Sequence, residues 1–202
     1  MTTIFYSSKK SFLLRKDTEM IKLYFNKEMI SRAIDSTSDL YKSRRLTFMF
    51  MMLKICNYLD IPFSVLKDIH HNDNGRLVMP DYNIVISYSG DYVFCLISSK
   101  KMGFDVEVMN KDISERNIIL FSYFLKRKVK GYLSFYKEWT KIESLVKYFG
   151  NRGLNDLLFN MKNIEIQKFE TLHITFEKRY LIALSGENVS EIKNEMKFKK
   201  FN

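Results

Sequence analysis

Asn83-Ile-Val-Ile-Ser-Tyr-Ser-Gly-Asp-Tyr-Val-Phe-Cys-Leu-Ile97 is the stretch that decides the fold class. Two apolar runs, Asn83–Ile86 and Tyr92–Ile97, flank Ser89-Gly90-Asp91, an order that reads as two strands joined by a hairpin turn. A third run, Gly103-Phe-Asp-Val-Glu-Val108, follows closely. Helical patterns lie on both sides of this β group. Upstream come a charged segment, Thr18–Ala33, and a longer one, Asp39–Leu59, with Leu46, Met49, Leu53 and Ile55-Cys56 on one broad apolar face, limited by Pro62. Downstream come Ser114–Lys126 and Val129–Phe149, the second closed by the turn Gly150-Asn-Arg-Gly153. Further strands are expected at Ile4–Tyr6, Ile164–Lys168, Leu172–Phe176 and Tyr180–Leu184. The class is α+β.

The 202 residues suit one domain or two small halves, and 46% hydrophobic content supplies a substantial core. The best apolar run, Phe48–Leu53, stops at Lys54, well short of the roughly 18–20 residues that a bilayer span needs. Lys9, Lys10, Arg15 and Lys16 precede no apolar core of signal-peptide length. Cys56 and Cys95 are too few for a disulfide scaffold and lack metal-motif spacing. A cytoplasmic protein is expected. Thirty-three basic against 23 acidic residues give a charge of +10, which nucleic acid, an anionic membrane surface, phosphorylated ligands or acidic proteins would each answer.

Asp105 and Glu107 stand at i and i+2 of a strand, so both carboxylates leave one face. Such a pair suits a hard divalent cation such as Mg²⁺; it is equally the outer face of an ordinary strand. Trp139, Glu143 and Lys147 follow one stripe of the last helix. Glu143 and Lys147 form either a surface ion pair or a site serving metal and phosphate together. Arg44-Arg45 open an apolar helix and meet either phosphate or solvent. His70-His71 read as exposed loop histidines, Cys95 as a buried apolar residue, and Ser87 and Ser89 have no neighbouring histidine or acid to form a triad.

In order, these pieces resemble the 4′-phosphopantetheinyl transferase superfamily, in its larger, pseudo-dimeric, surfactin-synthetase-activating type. Gly103-Phe-Asp-Val-Glu107 is similar to that family's Gly-Ile/Val-Asp-Ile/Val-Glu, and Trp139-Thr-Lys-Ile-Glu-Ser-Leu-Val-Lys147 to its Trp-Ser/Thr-x-Lys-Glu-Ala/Ser-x-x-Lys. Gly150-Asn-Arg-Gly-Leu154 resembles the Gly-x-Gly-Leu turn, Gly75-Arg76 the Gly-Lys/Arg-Pro segment, and Ser87-Tyr-Ser-Gly90 the Ser-His-Ser-Gly segment. The match runs from Arg44 to Leu154 in the right order. Tyr88, Ile142 and Leu77 depart from it, standing where the family carries histidine, lysine and proline.

The resemblance implies two similar α+β halves, residues 1–102 and 103–202, packed pseudo-symmetrically with coenzyme A in the cleft between them. It implies that Asp105, Glu107 and Glu143 hold Mg²⁺, with Glu143 as base and Lys147 as the neutralising cation. Arg32, Arg44, Arg45 and Arg76 would contact coenzyme A phosphates, and Ser87 and Tyr88 would flank the nucleotide. The implied reaction moves phosphopantetheine from coenzyme A to a serine of an acyl or peptidyl carrier protein, releasing adenosine 3′,5′-bisphosphate. A monomer is expected, with neither membrane nor nucleic acid as partner. The departures support a second reading, a coenzyme A- or carrier-binding relative with weakened catalysis. A basic nucleic-acid-binding protein is a distant third, since no helix-turn-helix, zinc-finger or RNA-recognition motif accompanies the charge.

Overall fold

In a computed structural model of the chain, residues 2–9, 15–73, 75–150 and 169–201 are described. The protein is mixed α+β and divides into two units, Met1–Lys101 with Glu195–Asn202, and Met102–Asn194.

The amino-terminal unit is built on the expected hairpin. Strands β4 (Asn83–Ser89) and β5 (Tyr92–Ser98) pair antiparallel with Ser89 opposite Tyr92. Gly90 turns the chain between them at φ +52°, in the left-handed region that glycine enters without a Cβ penalty. Strand β1 (Thr2–Ser8) pairs antiparallel with β5, and β9 (Lys197–Phe201) pairs parallel with β1, giving the order β4-β5-β1-β9. The single division expected after residue 102 did not anticipate this return of the chain's end.

One long helix packs on the sheet and two shorter ones pack on that helix. The charged segment expected as one helix is two, α1 (Arg15–Tyr24) and α2 (Lys27–Ile34). Asn26 divides them, because its Oδ1 accepts from Met29 N at 2.9 Å while its Nδ2 donates to the carbonyls of Lys67 and Ile69. A side chain that caps one helix and is held by a distant segment cannot sit inside a continuous helix. Helix α3 (Asp39–Tyr58) buries more than one face: every residue from Thr47 to Leu53 is buried. It packs against α1 and α2 and also against β1 and β5, and a helix covered on opposite sides is apolar around its girth. Short strands β2 (His70–His71) and β3 (Leu77–Val78) pair antiparallel beyond it.

The carboxy-terminal unit contains β6 (Gly103–Val108), α4 (Glu115–Phe124), α5 (Gly131–Phe149), β7 (Glu170–Phe176) and β8 (Tyr180–Gly186). Its sheet is antiparallel throughout, in the order β6-β8-β7, and the central strand β8 is buried along its length. Phe121 of α4 meets Phe135 and Trp139 of α5 edge-on at 4.9 and 5.8 Å, fixing the two helices together. Helix α5 lies on β6 and β8. Its end follows the sequence reading, with Gly150 at φ +72° donating to the Val146 carbonyl. The expected turn from Asn151 to Leu154 and the strand Ile164–Lys168 lie outside the described residues. No helix among the described residues is long and apolar enough to cross a membrane.

Candidate functional site

Strand β6 does not alternate between wet and dry faces: Gly103 to Val106 are all buried and Glu107 and Val108 are half-buried. Asp105 is 4% exposed, between Phe104 and Val106 at 0% and 1%. A carboxylate so placed needs a compensating charge, and Lys147 of α5 supplies it, with Nζ 2.7 Å from Asp105 Oδ1. The lysine thus reaches across from the helix to the strand. Two turns earlier on α5, Trp139 Nε1 donates to Glu107 Oε1 at 3.2 Å. The helix therefore runs against the strand's direction, later helix residues meeting earlier strand residues.

Glycine sets this close approach. A Cβ on Gly103 would stand 1.8 Å from the Ser144 carbonyl oxygen and 2.9 Å from Tyr148 Cβ. Beside it, buried hydroxyls of Ser144 and Ser185 lie 2.6 Å apart, and Ser185 lies 2.8 Å from Thr171 Oγ1, a chain that ties α5 to β8 and β7. Each such bond contributes on the order of 1 kcal/mol.

Glu143 occupies the turn of α5 between Trp139 and Lys147. Burial pushes its carboxyl above the usual range, the charge of Asp105 pushes the same way, and the Lys147 ammonium opposes both. The structure thus brings the two motifs into one neighbourhood: Asp105 ion-paired, Glu107 held by an indole N–H, and Glu143 within the field of both Asp105 and Lys147. Among the described residues no three histidine, cysteine, aspartate or glutamate side chains are grouped to hold a metal ion as they stand. The donor set of three carboxylates fits a hard divalent cation in kind, with Lys147 now supplying the positive charge that Asp105 needs.

The six residues expected to contact coenzyme A belong to the amino-terminal unit. Arg32, Arg45 and Tyr88 line one cavity of about 50 Å³, with Met49 and Ile86 among its apolar walls. Arg32 pairs with Glu28 at 3.0 Å, and Arg45 donates to the Arg32 carbonyl. Arg44 lies outside the cavity lining but beside it, its guanidinium over the rings of Tyr88 at 5.4 Å and Tyr41 at 5.8 Å. Burial pushes the Tyr88 phenol up to about 12, so it stays a neutral hydroxyl. Ser87 alternates with Ile86 and Tyr88 along β4, which directs it to the opposite face of that strand. Arg76 donates to Asn83 Oδ1 and is also outside the lining.

His71, read from sequence as an exposed loop residue, is half-buried and lines the same cavity as Arg32 and Arg45. Its Nδ1 is buried with no hydrogen-bond partner among the described residues. The period of two gave a usable signal, since His70 and His71 are neighbours on one strand and must face opposite ways once paired with Val78 and Leu77. Compared with known families and curated proteins, the chain matches no family model and no curated protein.

Proposed function

We propose that the chain is a Mg²⁺-dependent 4′-phosphopantetheinyl transferase acting on the serine of an acyl or peptidyl carrier protein. The observation that carries this reading is the convergence of two motifs some forty residues apart, in which Lys147 Nζ lies 2.7 Å from Asp105 Oδ1 and Glu143 senses both charges. The same reading takes the two units as similar halves of a cytoplasmic monomer, with coenzyme A held between them.

Asp105, Glu107 and Glu143 would hold the cation. Bound there, Mg²⁺ would neutralise the pyrophosphate of coenzyme A. Glu143 serves as the base: a carboxyl raised above its usual range is better matched to accepting a serine proton near neutral pH. The serine oxygen bonds to the β-phosphorus, its proton passes to Glu143, and the bridging P–O bond breaks to release adenosine 3′,5′-bisphosphate. Lys147 would balance the charge that accumulates on the leaving phosphate.

The test is Mg²⁺-dependent labelling of apo carrier proteins of fatty-acid, polyketide and nonribosomal-peptide type from a fluorescent coenzyme A. Labelling is expected with at least one carrier and is abolished in folded Asp105→Ala and Glu143→Ala proteins. Folded wild-type protein that labels no carrier overturns the reading, and full activity in either variant overturns that residue's role. One observation favours a binding-only relative: Ile142, where the family motif has lysine, is 6% exposed in the core with Leu145 and Val146, so no ammonium stands there. Calorimetric binding of coenzyme A with no product by mass spectrometry selects that alternative.

A further inference from the structure

The proposed chemistry gives Trp139 no part, yet its indole reaches the strand carboxylates. Nε1 donates to Glu107 Oε1 at 3.2 Å, and the ring that carries it is held by two phenylalanines. Phe121 of α4 meets it edge-on at 5.8 Å, and Phe135, one turn earlier on α5, stacks on it at 6.3 Å with the ring planes 4° apart. Phe121 is itself buried, which anchors this clamp in the core of the carboxy-terminal unit. Aromatic pairs prefer defined offsets and tilts, so the clamp gives the indole N–H a set direction.

The two strand carboxylates are held by different chemistry. Asp105 accepts from an ammonium at 2.7 Å, which fixes it and offsets its charge together. Glu107 accepts from an indole N–H, a donor that carries no charge. Such a bond fixes the orientation of a carboxylate and leaves in place the negative charge that draws a hard divalent cation. Glu107 is also half-buried where Asp105 is 4% exposed, so it is the more accessible of the two. We propose that Trp139 is a positioning residue, whose indole N–H holds Glu107 in the orientation in which it ligates the divalent cation. This role rests on the Mg²⁺ site of the transferase reading and adds the residue that sets the direction of one ligand. Hydrogen-bond partners of metal ligands are worth about 10–100-fold in metal affinity. With every ligand retained and one neutral bond lost, the lower end applies, about tenfold.

Mn²⁺ is the probe, because it shares the oxygen preference of Mg²⁺ and its unbound fraction is read by electron paramagnetic resonance, with no substrate and no turnover. Two replacements in the full chain remove the N–H. Trp139→Phe shortens the ring system, and exchange of the indole for benzothiophene puts sulfur in place of the N–H while keeping the ring shape. The second leaves no cavity, so it tests the bond even where the first destabilises the fold. The Mn²⁺ dissociation constant is expected to rise about tenfold in each folded protein. The chain has one tryptophan, so wild type gives a single indole N–H signal in nitrogen-15 NMR, which bound Mn²⁺ is expected to broaden away. Unchanged Mn²⁺ affinity in the folded benzothiophene protein overturns the proposal, and so does an indole signal that bound Mn²⁺ leaves sharp. Where wild type labels carriers and the benzothiophene protein binds Mn²⁺ as wild type does, this inference fails alone. An about tenfold loss of Mn²⁺ affinity in a chain whose wild type labels no carrier supports the positioning role and refutes the transferase reading alone. Wild-type protein that binds no Mn²⁺ overturns the positioning role whatever the labelling shows.

Discussion

Replacing Gly103 by alanine places a methyl group inside helix α5. The new Cβ would lie 1.8 Å from the Ser144 carbonyl oxygen and 2.7 Å from its carbonyl carbon. Both are backbone atoms, so no rotamer change relieves the clash. Ordinary contact begins at 3.4 Å, so strand and helix must separate by about 1.6 Å, more than a packed interior absorbs without loss. A 2.7 Å bond from Lys147 to Asp105 lengthened by that amount is no longer a hydrogen bond, and the hydroxyl chain from Ser144 to Thr171 opens at the same place. Overpacking of this kind costs about 1–3 kcal/mol, and two strained polar contacts bring the expected loss to about 3 kcal/mol. Urea unfolding followed by Trp139 fluorescence is the assay, since the chain has one tryptophan and it sits on α5. With a slope of about 1–3 kcal/mol per molar, the midpoint should fall by at least about 1 M. Transfer activity, where present, should fall about 100-fold in the fraction that remains folded, the cost of misplacing reacting groups by about 1 Å. An alanine variant that unfolds at the wild-type midpoint and keeps its activity refutes the claim that Gly103 sets the distance between β6 and α5.

Three further perturbations bear on the same groups. Lys147→Met should cost about 2–3 kcal/mol in urea unfolding, short of a fully buried pair because the lysine side chain is 27% exposed, and adding Asp105→Asn should restore part of the loss; a double variant less stable than Lys147→Met counts against the pair. Glu143→Gln should raise the unfolding midpoint at pH 7 while abolishing transfer, because a carboxyl held above its usual range opposes folding once ionised; a lowered midpoint in a folded protein contradicts the cause assigned to that shift. His71 and His173 are both held below the usual histidine range, chiefly by burial. The unfolded chain therefore binds more protons than the native one just below about pH 6.5. Stability should fall on acidification through that window, measured as urea midpoint against pH, and a flat profile in wild type removes the argument.

The β4–β5 hairpin could be read from sequence because alternation and a Gly-containing turn act locally, within a dozen residues. The break at Asn26 could not, since the carbonyls of Lys67 and Ile69 that hold its amide arrive only with the tertiary fold. Strand β9 was hidden for another reason. Its Lys-Phe-Lys-Lys-Phe composition reads as a charged tail, yet on an exposed sheet edge lysines are what discourages further pairing. The candidate site divides along the same line. Spacing brought Glu143 and Lys147 together as a local i,i+4 pair, but the lysine's 2.7 Å partner is Asp105, across the gap between helix and strand. That gap is narrow because Gly103 has no side chain, so the glycine that opens the motif is what makes the aspartate two residues later reachable. The spacing of charged residues along a helix proposes partners; how closely the helix approaches its strand chooses among them. Here one absent methyl group makes that choice, which is why Lys147 bonds across the gap to Asp105 of the strand at 2.7 Å.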